Sequence, residues 1–217
     1  NVVRDHRLRV LFPTGCKATT YLADQAFDVV ERPIALRADN AKLKEMELET
    51  KPQQTWTAVH NDNRGLAVIA TGLPESSVRD QPERPIALTL LRSFFRAVLT
   101  SGNEGGQIQD RHVFQYRIVP LSGKPDVACL CRTGQRLTAG VRVVQQERRD
   151  IVGQPGGTPA ERTLPASQSF LSVDGKNVVA TALYRWHEGE EAALRLFNPT
   201  ARRVEVAEND EDGPRLP

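Results

Sequence analysis

The chain has 217 residues, 39% of them hydrophobic, and its 29 Lys and Arg against 27 Asp and Glu leave a formal net charge of +2. That is enough apolar material for one large domain or two small ones, and the basic residues are scattered, which excludes the one-sided positive footprint of a nucleic-acid binder. Apolar runs such as residues 66–70 fall far short of the ~20 residues that a membrane-spanning helix needs.

Short runs of β type broken by Gly, Pro, Asn and Asp predict an all-β chain, an antiparallel β-sandwich with few short helices. Residues 1–6 hold neither an initiator Met nor an apolar signal core, and the chain reads as starting inside a longer polypeptide. Strands are expected at 6–12, closed by Pro13, Thr14 and Gly15, and at 26–30, closed by Arg32 and Pro33. Residues 39–48 are the best helical candidate, with Leu43, Met46 and Leu48 as a narrow apolar stripe, and read equally as a solvated linker. Residues 56–60 and 65–70 form a hairpin around the polar turn Asn61, Asp62, Asn63 and Arg64. Further strands are expected at 86–91, 113–120, 141–146, 169–173, 178–184, 193–198 and 203–206, for about 12 in all, with one short helical turn at 129–134.

Residues 151–165 contain Gly153, Pro155, Gly156, Gly157, Pro159 and Pro165, too broken for strand or helix. They divide a large sandwich lobe, 1–150, from a smaller β lobe, 166–217, whose acidic tail at 208–214 is expected to fray. Three cysteines, Cys16, Cys129 and Cys131, make an odd number, which argues against a disulfide framework and for a reducing, cytoplasmic setting.

Chemistry is sparse. The histidines His6, His60, His112 and His187 share no ligand spacing, and Cys129 and Cys131, on one face if their segment is extended, have no second pair to complete a zinc site. The sequence carries no nucleophile elbow, dinucleotide fingerprint or phosphate loop, and Gly102 to Gly106 reads as a turn-rich loop. A carboxylate pair for glycoside hydrolysis depends on spatial separation, and the sequence gives no reason to choose one. Trp56, Trp186, Tyr21, Tyr116 and Tyr184 are the aromatics able to stack on a sugar, set against ordinary packing roles. Trp186, beside His187 and the polar turn Glu188, Gly189 and Glu190, is the best exposed of them. On composition and pattern the chain is a sandwich without a visible reaction.

A series of segments adds to this. Residues 6–15 (HRLRVLFPTG), 24–33 (DQAFDVVERP), 63–69 (NRGLAVI) with 72–75 (GLPE), 85–93 (PIALTLLRS), 112–120 (HVFQYRIVP) and 194–200 (LRLFNPT) occur in an order that resembles the C-terminal β-sandwich region of bacterial family 38 α-mannosidases and the related mannosylglycerate hydrolases. The resemblance spans nearly the whole chain. It implies a parent enzyme that hydrolyses α-mannosides with retention, using zinc and a carboxylate nucleophile in an N-terminal catalytic domain followed by a helical bundle. These parts have no counterpart in the present residues, so the chain alone is expected to hold no metal and no catalytic residue and to be inactive. Its implied partners are that catalytic domain and a mannoside, with neither nucleic acid nor membrane. Exposed surface could also support a homo-oligomer.

The resemblance also implies one arginine near the active-site rim. Arg92 is the closest match and Arg64 lies in the neighbouring turn, each suited to hold sugar hydroxyls, a phosphate or a catalytic carboxylate. Two other readings stay open: an autonomous carbohydrate-binding module, with Trp186 as its stacking residue, and a purely structural sandwich.

Overall fold

The computed structural model describes residues 5–94, 106–107, 110–143, 167–169, 171–186 and 192–206. Eleven strands and one α-helix occupy them: β1 (Arg7–Phe12), β2 (Thr20–Gln25), β3 (Asp28–Pro33), β4 (Lys51–Pro52), β5 (Trp56–His60), β6 (Gly65–Ala70), β7 (Glu75–Val78), β8 (Ile86–Arg92), β9 (Tyr116–Leu121), α1 (Val127–Ala139), β10 (Val179–Arg185) and β11 (Ala192–Phe197). A four-stranded sheet runs β1-β8-β7-β4 and a five-stranded sheet runs β3-β2-β5-β6-β9, while β10 and β11 pair as a separate ribbon. Every pairing is antiparallel. The antiparallel sandwich expected from the sequence is therefore the fold.

Strand period dictates what lies between the sheets. In β5 and β6, Val59 and Val68 point into the sandwich with Phe12, Tyr21, Ile86 and Leu88. Trp56, Ala58, Ala67 and Ile69 point the other way, and the register Trp56 to Ile69 and Ala58 to Ala67 keeps them on one face. That outer face is roofed by α1, so the central strands of the five-stranded sheet are buried on both sides. Such burial accounts for the unbroken apolar run at 66–70, which a half-exposed strand would not carry.

Local chemistry sets the limits of α1. Asp126 caps it by accepting from the Cys129 backbone N–H at 2.9 Å, and Gly140, at φ 66°, ends it. Val127, Leu130, Cys131, Gly134 and Leu137 fall at helical spacing on the buried side. Gly134 is required by closeness: a Cβ there would sit 2.4 Å from Thr55 Oγ1. The short turn expected at 129–134 is thus the centre of a 13-residue helix. Gly134, a poor helix former in isolation, is what lets the helix lie flat on β5.

Other expectations are corrected. Residues 39–48 form only a single 3-10 turn, Asn40–Lys42, because Met46 and Leu48 have nothing to pack against and stay 61% and 65% exposed. The loop is closed instead by the Asn40 side chain, which donates to Glu47 O at 2.9 Å and accepts from Glu47 N at 2.6 Å. The strand expected at 26–30 begins at Asp28, since Ala26 and Phe27 are the turn joining β2 to β3. β2, β4 and β7 were not expected. In β7 the polar Ser76 is tolerated inside because it bonds Thr57 at 2.8 Å, Thr57 donates to Gln53 at 2.6 Å, and Gln53 donates to Leu73 O at 2.9 Å. Residues 141–143, 169, 171–173 and 203–206 are irregular where strands were expected. Residues 144–146, the 151–165 linker and the acidic tail lie outside the described residues.

Candidate functional site

Arg92 ends β8 directly opposite Arg7, which opens β1. Both reach Glu75 of β7: Arg92 Nη1 donates to its Oε2 at 3.2 Å, and Arg7 Nη1 lies 3.5 Å from its Oε1. Thr89 adds a hydrogen bond to Oε1 at 2.7 Å. Further along this outer face of the four-stranded sheet, Arg9 and Arg79 share Glu49 at 3.9 and 3.8 Å, and Arg9 also donates to Ser77 at 3.2 Å. Four arginines thus face two glutamates, an excess of two positive charges. Burial, then the neighbouring Arg7 and Arg79 charges, hold the Arg9 guanidinium below its usual range against the pull of Glu49 and Glu75. The Arg79 Nε is buried without a hydrogen-bond partner among the described residues.

At the Arg92 end this layer opens into a cavity of about 520 Å³, lined by His6, Arg7, Glu49, Thr50, Arg92 and Phe94 among others. Arg92 is 61% exposed at its side chain, and His6 Nδ1 at the wall is buried with no hydrogen-bond partner among the described residues. The corner can present guanidinium donors to an oxygen-rich ligand or to a carboxylate.

Arg64 is elsewhere. Asn61 Oδ1 accepts from the N–H groups of Asn63 and Arg64, both at 3.0 Å, which shapes the β5–β6 turn. The Arg64 guanidinium donates to the Gly15 carbonyl, stapling this hairpin to the chain leaving β1. Gly15 lies past the end of β1 opposite to Arg7, so roughly 20 Å of strand separates Arg64 from Arg92. One small ligand cannot be held by both.

Trp186 follows β10, 49% exposed, with its ring centroid 6.2 Å from that of Tyr184. Arg195 of β11 lies 5.8 Å from the Tyr184 centroid. The three residues singled out from sequence therefore occupy three separate places, and His187 lies outside the described residues. Sequence reading passed over Phe27, which is 80% exposed with φ 72°. The only signal it gives is an aromatic in the two-residue gap between β2 and β3.

No three His, Cys, Asp or Glu side chains come together among the described residues, so these residues offer zinc no donor set. Cys129 and Cys131 do not share a face as an extended segment would place them, because two residues along a helix turn the side chain to the other side. Cys129 is exposed, Cys16 buried and Cys131 half-buried. Burial pushes the Cys131 thiol up to about 11, opposed by the neighbouring Trp56 indole. A folded value above the unfolded one means that Cys131 contributes stability below pH ~9 that is lost as the pH rises towards ~11. Iodoacetamide at pH 8 is expected to label Cys129 of the native chain and to reach Cys16 and Cys131 only in urea; mass mapping that finds native Cys131 labelled as fast as Cys129 contradicts this.

Residues 2–98, which contain β1 to β8 and the whole arginine layer, match the model of the glycosyl hydrolases family 38 C-terminal domain. Over these residues the chain is similar to that family's C-terminal domain. The chain is 27% identical over 204 residues to a protein of Halalkalibacterium halodurans provisionally named a mannosylglycerate hydrolase, covering 92% of this chain and 20% of that one. Two solved structures from Enterococcus faecalis share the fold, one described as a protein of glycosyl hydrolase family 38 and the other as an α-mannosidase. Each has a TM-score of 0.73 and 24% identity, covering 95% of this chain and 22% of the other. This chain spans about a fifth of the length of these relatives. Arg92 and Arg64 lie inside the matched residues, and Trp186 lies beyond them.

Proposed function

We propose that this chain is the non-catalytic β-sandwich portion of an α-mannoside-hydrolysing enzyme. In this reading it packs beside a catalytic unit elsewhere in the same polypeptide and lends that unit Arg92. The observation that carries the reading is the match of residues 2–98 to a domain defined as C-terminal in a glycoside hydrolase family. The zinc implied by the resemblance belongs to the catalytic unit, where it would polarise the substrate beside a nucleophilic carboxylate. The contribution of the present chain is positional. Among the described residues Arg92 has one carboxylate partner, Glu75, and with most of its side chain exposed it keeps donors for a sugar hydroxyl or a catalytic carboxylate.

In the full-length polypeptide, Arg92→Ala is expected to lower kcat/KM for an aryl α-mannoside about tenfold or more. It should shift the melting temperature by only a few degrees, because an exposed ion pair is worth ~0–1 kcal/mol. Arg64→Ala, at the far end of β1, should leave kcat/KM unchanged. Hydrolysis by these 217 residues alone, or wild-type kcat/KM in Arg92→Ala, would overturn the proposal.

A further inference from the structure

A cavity of about 510 Å³ lies where the β2–β3 turn, the flank of α1 and the ribbon meet. Its size falls within the ~300–1,000 Å³ of small-molecule sites. Phe27, Gln54, Gln135, Arg195 and Phe197 are among its walls. Phe27 bears two costs there. The two-residue turn puts it at φ 72°, a region that Gly, Asn or Asp occupies easily and a bulky aromatic does not, and its ring is left 80% exposed to water. Nothing among the described residues offsets either cost, which marks the ring as held out for a contact.

The cavity continues into the ribbon. Arg195 and Phe197 share one face of β11 by strand alternation. Arg195 pairs with Ala182, two residues before Tyr184, and its guanidinium sits over the Tyr184 ring. Tyr184 in turn meets Trp186, and these two rings are 40% and 49% exposed. Phe27, Phe197 and Arg195 therefore share the cavity wall, while Tyr184 and Trp186 lie further along the ribbon.

Hydrogen-bonding groups on the cavity wall are available. The Gln54 side-chain amide makes no hydrogen bond with the described residues, and the Arg195 guanidinium makes neither a hydrogen bond nor an ion pair with them, its backbone carbonyl alone accepting from Thr181. Gln135 spends its Nε2 on Ala180 O at 2.8 Å and keeps its Oε1. Planar amide and guanidinium groups suit pairs of adjacent hydroxyls, and flat rings suit the C–H face of a six-membered sugar. An apolar peptide would leave these polar groups desolvated and unpaired.

We propose that this groove binds a pyranoside, its C–H face against Phe27 or Phe197 and its hydroxyls on Gln54, Gln135 and Arg195. The site is independent of Arg92 and of hydrolysis, so its test reads binding by this chain alone. Methyl α-D-mannopyranoside, methyl α-D-glucopyranoside and an α-linked mannobiose are titrated into the isotopically labelled 217-residue chain and followed by NMR. At least one should give saturable shifts at the Phe27, Gln54 and Gln135 resonances, with Kd on the order of millimolar. Phe27→Ala and Arg195→Ala should each weaken binding about fivefold or more. Leu8→Ala, on the opposite sheet, should leave binding unchanged. Absence of saturable shifts with all three sugars, or binding that Phe27→Ala and Arg195→Ala leave intact, would overturn the assignment.

Discussion

Replacing Asp24 by Ala is expected to lower the unfolding free energy by about 3–5 kcal/mol, measured by urea denaturation. Asp24 is only 6% exposed, yet its carboxylate is fully employed. Oδ1 accepts from the backbone N–H groups of Gln54, Thr55 and Trp56 at 3.2, 2.8 and 2.8 Å, and Oδ2 accepts from Thr55 Oγ1 at 2.6 Å. Gln54 N has a second acceptor in the Asp24 carbonyl at 3.0 Å, but Ala would strip the carboxylate from Thr55, Trp56 and the Thr55 hydroxyl together. Each buried donor left without a partner costs about 1–3 kcal/mol. Asp24→Asn keeps one oxygen for the N–H groups, and the Thr55 hydroxyl can turn to accept from the new amide, so it should cost about 1–2 kcal/mol. A loss below ~1 kcal/mol in Asp24→Ala would show that water or a shifted loop replaces the carboxylate.

Trp56→Ala should cost a similar 3–5 kcal/mol for a different reason. The indole is fully buried beneath α1, against Leu130, Cys131 and Ile69, and few side chains could close the void. Loss of helical circular dichroism and iodoacetamide labelling of Cys131 should accompany the drop, because the same ring supports the helix and shields the thiol. Trp56→Phe separates volume from polarity. The indole Nε1 makes no geometrically sound hydrogen bond among the described residues, the Cys131 thiol being its polar neighbour, so Phe gives up mainly volume and should cost about 1–2 kcal/mol. If Trp56→Ala left the helix signal intact, the packing of Trp56 would not be what holds α1.

The sandwich was legible because β5, β6 and β8 announce themselves: apolar runs bounded by Asn, Asp, Gly and Pro leave little else for the chain to do. What escaped was punctuated differently. The β2–β3 turn uses Ala26 and Phe27 in place of Gly or Asn, and β7 is made of Glu75, Ser76, Ser77 and Val78, whose inward polar group is satisfied by partners 19 residues away. The extent of α1 was hidden by Gly134, although Asp126 and Gly140 mark its ends in the ordinary way. Of the candidate site, Arg92 was reached only through the ordered resemblance, since nothing local distinguishes it from other strand-end arginines. Its arginine and glutamate neighbours come from β1, β7 and the segment before β4, which sequence distance conceals. Phe27 illustrates the same limit: an aromatic inside a β-rich run reads as core until the turn is seen.

The helix holds the ribbon in an unusual currency. Arg132 donates to the carbonyls of Lys176 and Val178 at 3.0 and 3.1 Å, and Gln135 donates to that of Ala180. A carbonyl is supplied by every amino acid, so this attachment places no demand on which side chains the ribbon carries. Over evolutionary time the outward residues of β10 and β11 could drift, and any ligand preference with them, while Arg132 and Gln135 stay fixed. Related chains should then differ most along the ribbon and least at those two positions of the helix.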